Sequence, residues 1–210
     1  MADRTLLCYG DSNTHGWDAA TGGRFAPDVR WPGVLAAALG GGWHVIEEGL
    51  GGRTTVHDDP FQPYANGLTY LVPCLHSHSP LDVVVLALGL NDLKPYFALS
   101  TEDVARGVAT LVDVVLTSGT GPGGSASRVL VLGLARLGRV EPADERLESF
   151  RARMKRLPSL LALTAAGLGA EFLDLDPITA YGTADGYHLD AGGHAAIGRA
   201  VADALATDPS

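Results

Sequence analysis

Four short segments carry side chains that can do chemistry together. In Gly10-Asp11-Ser12-Asn13-Thr14 the serine follows a short apolar run. That puts its hydroxyl at the carboxyl end of a predicted strand, where α/β sheets place their ligand crevices. Read alone, the segment is also an ordinary strand-ending turn, in which Asp11 and Ser12 cap the next helix. Near the other end, His188 follows Asp185 by three residues. This spacing brings both side chains to one side of a turn. Asp185 can then accept from one ring nitrogen and fix the tautomer, leaving the other nitrogen to take a proton from a serine. Read alone, Asp185-Gly186-Tyr187-His188 is also a polar loop ahead of the last helix. Gly49-Leu50-Gly51-Gly52-Arg53-Thr54 and Gly89-Leu90-Asn91-Asp92 each follow a predicted strand. Glycine there lets a backbone N–H face a ligand, and Asn91 offers an amide. Ser12 N–H, Gly52 N–H and the Asn91 side chain can together bind the oxyanion of a tetrahedral intermediate. Their plainer readings are a β-turn for the glycines and an N-cap or Asx turn for Asn91.

The elements that must position these segments follow from hydrophobic patterning. Thr5 to Tyr9, Trp43 to Glu47, Leu81 to Leu88, Arg128 to Leu134 and Glu171 to Leu175 read as strands. The β-branched run at Leu81 to Leu88 is typical of a strand buried on both faces. Trp31 to Leu39 has helical spacing and ends at Gly40 to Gly42. Thr101 to Thr117 reads as a helix capped by Thr101, with Glu102 and Asp103 near its positive end. Pro142 to Leu168 is helical in pattern, with Pro158 expected to kink or break it. Asp190 can cap a final helix that runs through Ala204. Strands alternating with helices argue for a layered α/β domain around a parallel sheet of about five strands. Their order in the sheet is not readable from spacing.

Composition narrows the function classes. A hydrophobic fraction of 46% supports a sizeable core in one domain spanning 1–210, and 19% charged residues disfavour a disordered chain. The net charge of −9, with no basic stripe, argues against nucleic-acid partners and against docking on an anionic membrane. The longest apolar run, Val83 to Leu88, is too short to span a bilayer, and no signal peptide precedes the first strand, so a cytoplasmic location is expected. Cys8 and Cys74 suggest neither a disulfide framework nor a zinc cluster. His57, Asp58, His76 and His78 lack metal-ligand spacing, so no metal is expected. Neither a P-loop nor the G-x-S-x-G elbow occurs.

The four segments in this order resemble the SGNH hydrolases, also called the GDSL family. The family's blocks begin with a GDS serine, a glycine, an asparagine in GxND and a histidine in DxxH, here Ser12, Gly52, Asn91 and His188. The resemblance spans most of the chain. It implies a flavodoxin-like three-layer sandwich, a catalytic Ser12, Asp185 and His188, and an oxyanion hole of Ser12, Gly52 and Asn91. It also implies no cofactor, small ester substrates, and water or an alcohol as acyl acceptor. Arg24 to Trp31, Val45 to Leu50, Arg53 to Thr55 and Asn91 to Lys94 look most like the bacterial arylesterase/acyltransferase branch. That branch hydrolyses esters or transfers short acyl groups, and some members form tight homo-oligomers with hydrophobic channels.

Two residues depart from the branch pattern at the site. Asn13 stands where a leucine is usual, and Gly51 where a serine is usual. Asn13, Trp17, Lys94 and Tyr187 are the candidate substrate-contacting residues, with Trp17 either walling an acyl pocket or packing in the core. After Leu134 the segment is charged, with Arg136, Arg139, Glu141, Asp144, Glu145 and Arg146, so no oligomer size is carried over. The same triad also serves carbohydrate acetylesterases, thioesterases and lysophospholipases. A non-catalytic flavodoxin-like binding module is the alternative of another class.

Overall fold

A computed structural model of the chain describes residues 4–138 and 145–207. Five strands form one parallel sheet: β1 (Arg4–Gly10), β4 (Trp43–Gly49), β5 (Val83–Ala87), β6 (Arg128–Leu132) and β7 (Glu171–Leu173). Their order is β4-β1-β5-β6-β7. This is the flavodoxin-like arrangement, in which the direction of winding reverses beside the first strand. A hairpin of β2 (Trp17–Asp18) and β3 (Gly23–Arg24) lies outside the main sheet and has no counterpart in the sequence reading. Leu6, Leu7, Cys8 and Tyr9 are fully buried, as are Val84 and Val85, which is why these strands are continuously apolar.

The helices form two packed groups. α2 (Trp31–Leu39) lies against β4 and against α6 (Ala191–Ala206), while α4 (Thr101–Thr117) packs on α5 (Glu145–Leu168) and on α3 (Gly67–His78). The sequence patterning had no helix at α3, which holds Pro73 inside it. The cap of α4 is Ser100, not Thr101. The Ser100 hydroxyl accepts from Asp103 N–H and the Asp103 carboxylate accepts from Ser100 N–H, a reciprocal capping box. Thr101 is buried in the first turn. Pro158 does not break α5. Phe150, Met154, Leu157, Leu161 and Ala165 make a buried stripe along it, and burying such a face outweighs the roughly 3 kcal/mol cost of an interior proline. Pro142, the expected start of this helix, and Arg139, Glu141 and Asp144 of the charged segment lie outside the described residues. β6 and β7 end at Leu132 and Leu173, short of the expected Leu134 and Leu175. Among the described residues no helix is long and apolar enough to cross a membrane.

The registers set up the site. Gly10 lies opposite Gly49 on one side and Ala87 on the other. The carboxyl ends of β1, β4 and β5 are therefore level, and the loops after them emerge side by side.

His194 joins α6 to the start of α2. It is fully buried, its Nδ1 accepts from Trp31 N–H at 3.2 Å, and Phe25 meets it edge-on at 5.2 Å. Burial lowers its pKa from 6.5 to about 4; Asp190 opposes the shift and Arg30 adds to it. The unfolded chain thus takes the proton first as pH falls. The stabilisation held by neutral His194 is complete above pH 6.5 and is lost as pH drops through about 4. We expect this group to remove on the order of 3 kcal/mol over that window. His194→Gln keeps an acceptor for Trp31 N–H without titrating, so urea unfolding of the variant should show a shallower pH slope there. Equal slopes would reject the assignment.

Candidate active site

The turn after β1 is built by Gly10 and Asp11. A Cβ on Gly10 would lie 2.0 Å from Thr14 Oγ1 and 3.0 Å from Ala87 O, so only glycine lets the chain fold back this tightly. Asp11 then caps α1 (Ser12–His15), its Oδ1 accepting from Asn13 N–H at 2.9 Å. Ser12 opens that short helix, where the first backbone N–H groups have no partner within the helix.

The loop before α6 brings the second half. Asp185 Oδ1 accepts from Tyr187 N–H at 2.9 Å and His188 N–H at 3.0 Å, and Oδ2 lies 2.6 Å from His188 Nδ1. His188 Nε2 lies 2.9 Å from Ser12 Oγ. Burial raises the Asp185 pKa, but the bonds from His188 and from the two N–H groups outweigh it and hold the carboxyl below its usual range. Asp185 is thus ionised wherever His188 must act. The carboxylate fixes a proton on Nδ1 and leaves Nε2 free to accept from the Ser12 hydroxyl, the arrangement a nucleophilic serine needs.

The third and fourth segments converge on the same turn. Asn91 Nδ2 donates to Asp11 Oδ2 at 3.2 Å and to Arg53 O at 3.1 Å. It thus ties the loops after β1, β4 and β5 together. Arg53 is buried; it donates to Gly10 O at 2.9 Å and to Glu48 O, and stands 4.2 Å over the Tyr9 ring. Asp92 is fully buried and accepts from Thr55 N–H at 3.0 Å and Thr55 Oγ1 at 2.6 Å. Gly52, between these anchors, has φ +79°. Asp11, almost fully buried, has its pKa pushed up to about 6 by desolvation, against the lowering pull of Asn13 N–H, His188 and Arg53. Its carboxylate serves the turn and the Asn91 amide. The sequence reading gave Arg53 and Asp92 no role; nothing in a single sequence marks an arginine or an aspartate for burial.

The candidate substrate contacts divide. Trp17 lies with its ring centroid 6.4 Å from that of His188 and is 38% exposed, so it flanks the triad and is not core. Tyr187 packs edge-on against Phe150 at 5.4 Å. Lys94 turns to Asp59 at 3.4 Å, where Tyr96 OH also donates at 2.7 Å. Asn13 is engaged at both ends of its amide by the backbone around His188. For Asn13 and Lys94, then, the structure shows protein partners. Among the described residues, one group with metal-ligating atoms within 4.8 Å of each other is Glu48, Cys74 and His78. It draws Cys74 and His78, four apart, from α3, which the sequence reading passed over. His78 Nε2 already holds Glu48 Oε1 at 3.0 Å. His57, Asp58 and His76 take no part.

A parallel flavodoxin-like sheet with a serine, a histidine and an aspartate in line at its strand ends defines a class of hydrolase. The chain belongs to the GDSL-like lipase/acylhydrolase family, whose model matches residues 8–196. It is similar to the aryl esterase of M. smegmatis, with 39% identity over 97% of this chain and 99% of that one and a TM-score of 0.90. It is also similar to two Sinorhizobium meliloti proteins. One is a carbohydrate acetylesterase, at 38% identity over 97% and 99% of the chains and a TM-score of 0.88. The other is a carbohydrate acetylesterase family member, at 35% over 96% and 97% and a TM-score of 0.86. Comparison with curated proteins returned no match. The family and these neighbours make the protein a carboxylic ester hydrolase.

Gly52 offers a sharp local test. A Cβ there would fall 1.8 Å from Gln62 Oε1, in a left-handed backbone, whereas one on Gly51 meets nothing within 4 Å. Gly52→Ala should cost about 1–2 kcal/mol in urea unfolding and lower p-nitrophenyl acetate turnover on the order of 100-fold. Gly51→Ala should leave both nearly unchanged. Equal effects of the two would show that Gly52 has no special place.

Proposed function

We propose that the protein is a serine esterase that forms an acyl-enzyme on Ser12, using short acyl groups, acetyl above all, on small aryl or alkyl alcohols. The observation that carries this is the unbroken line from Ser12 Oγ to His188 Nε2 at 2.9 Å and from His188 Nδ1 to Asp185 at 2.6 Å. His188 takes the Ser12 proton as the oxygen attacks the ester carbonyl. Asp185 steadies the imidazolium. The carbonyl oxygen gains charge and is held by Ser12 N–H, Gly52 N–H and the Asn91 amide, one of whose N–H bonds it takes over from Asp11 or Arg53. His188 then protonates the leaving alcohol. Water or another alcohol, deprotonated by His188, takes the acyl group and frees Ser12. Every proton in the cycle passes between groups of the chain and the substrates.

A second reading keeps the triad and makes the alcohol a sugar. It is supported by the similarity, at 38% identity, to a carbohydrate acetylesterase. Acetyl is the acyl group common to both readings.

Ser12→Ala should lower p-nitrophenyl acetate turnover by at least about a thousandfold and abolish labelling by a fluorophosphonate probe. Equal activity of wild type and variant would remove Ser12 from the mechanism. Across p-nitrophenyl esters from acetyl to decanoyl, kcat/KM should fall with length; a rise would reject the short-acyl assignment. Phenyl acetate and acetylated xylose, compared at equal concentration, separate the two alcohols.

A further inference from the structure

Asn13 is bonded covalently to the nucleophile and by two hydrogen bonds to the opposite loop. Its Nδ2 donates to Tyr187 O at 3.2 Å, and its Oδ1 accepts from Leu189 N–H at 2.9 Å. Those two backbone groups flank His188 in the chain. One side-chain amide therefore grips the backbone on both sides of the imidazole. The orientation of the amide follows from its partners: reversed, it would set two donors against each other at one end and two acceptors at the other.

The grip meets a specific need. Ser12 and His188 are 176 residues apart and sit on different loops. The loop of His188 has its own bonds, Gly182 N–H to His188 O at 2.7 Å and Gly186 N–H to Gly182 O at 3.1 Å. These shape the loop but do not set its distance from Ser12. Asp11 cannot do so either, since its two oxygens accept from Asn13 N–H and Asn91 Nδ2. Asn13 bonds across the two loops one residue from Ser12, where a leucine would offer no hydrogen bond.

We propose that Asn13 is a positioning residue, a two-point staple that sets the separation of Ser12 Oγ and His188 Nε2 and so acts on kcat, not on substrate binding. The proposal rests on the serine-esterase reading above. Misplacement of a reacting group by about 1 Å can cost on the order of 100-fold in rate, so loss of two ordinary hydrogen bonds is felt far more in turnover than in folding.

The test compares wild type, Asn13→Ala and Asn13→Asp on p-nitrophenyl acetate, with Ser12→Ala alongside. In Asn13→Ala, kcat should fall about 10- to 100-fold while KM stays within about twofold. Asn13→Asp keeps an acceptor for Leu189 N–H but turns an oxygen toward Tyr187 O. Its kcat should also fall, because only half of the staple survives. Amide hydrogen exchange at Leu189 reads the staple without any activity. It should quicken in Asn13→Ala and stay slow in Asn13→Asp. A raised KM at unchanged kcat would make Asn13 a substrate contact, and unchanged exchange at Leu189 would remove the staple; either overturns the proposal. Failure of the esterase reading would appear separately, as turnover that does not depend on Ser12, with the Leu189 exchange still deciding whether the staple exists.

Discussion

The site hangs on one buried carboxylate. Asp11 follows β1, almost without solvent, and its two oxygens accept from Asn13 N–H and from the Asn91 side chain. Burying an ionised carboxyl is costly, which is why its pKa climbs to about 6. The cost is accepted because the donors must come to it. One closes the turn that presents Ser12; the other draws in the loop after β5. Through Asn91 the same carboxylate reaches Arg53 O and hence the loop after β4. Level strand ends make this convergence geometrically cheap, since Gly10, Gly49 and Ala87 are already neighbours.

Around that point the chain separates groups that hold from the groups proposed to react. Arg53 and Asp92 are buried and bonded to backbone or hydroxyl partners. Asp59 does the same for Lys94 and Tyr96 at the edge of the site. The side chains of Ser12 and His188, by contrast, bond to each other and, through His188 Nδ1, to Asp185. In the proposed mechanism, a charged underlay beneath Ser12 and His188 is what electrostatic preorganisation requires.

The features legible in the sequence were those that local spacing can encode. Asp185 and His188 lie within one turn, so their pairing is a matter of three residues. The buried strands show themselves as unbroken apolar runs. Ser12 and His188 meet only through the family pattern, because nothing local connects residues so far apart. α3 escaped because Pro73 is a breaker by any propensity scale, yet Asn66 caps the helix and Leu71, Cys74 and Leu75 bury one face. Thr101 in place of Ser100 is a local error, since the Ser100–Asp103 capping box lies within four residues of sequence; that α5 runs unbroken through Pro158, where a kink or break was expected, is a local preference overridden by tertiary packing. The burial of Asp11 and Asp92 was invisible, since a carboxylate is exposed by default and only the assembled loops supply its donors.

Asn13 shows the limit of reading a site by adjacency. A polar residue next to a nucleophile invites the inference that it faces the substrate. The structure engages the amide at both ends with the peptide groups around His188. A leucine at this place would hold the two loops by apolar contact, which is non-directional and tolerates small displacements. An amide with one donor and one acceptor on a neighbouring backbone tolerates much less, because hydrogen bonds weaken steeply as their angle departs from linearity. On the proposed reading, the departure from the branch pattern exchanges adaptable packing for a fixed distance between Ser12 and His188, the separation across which the proton would move.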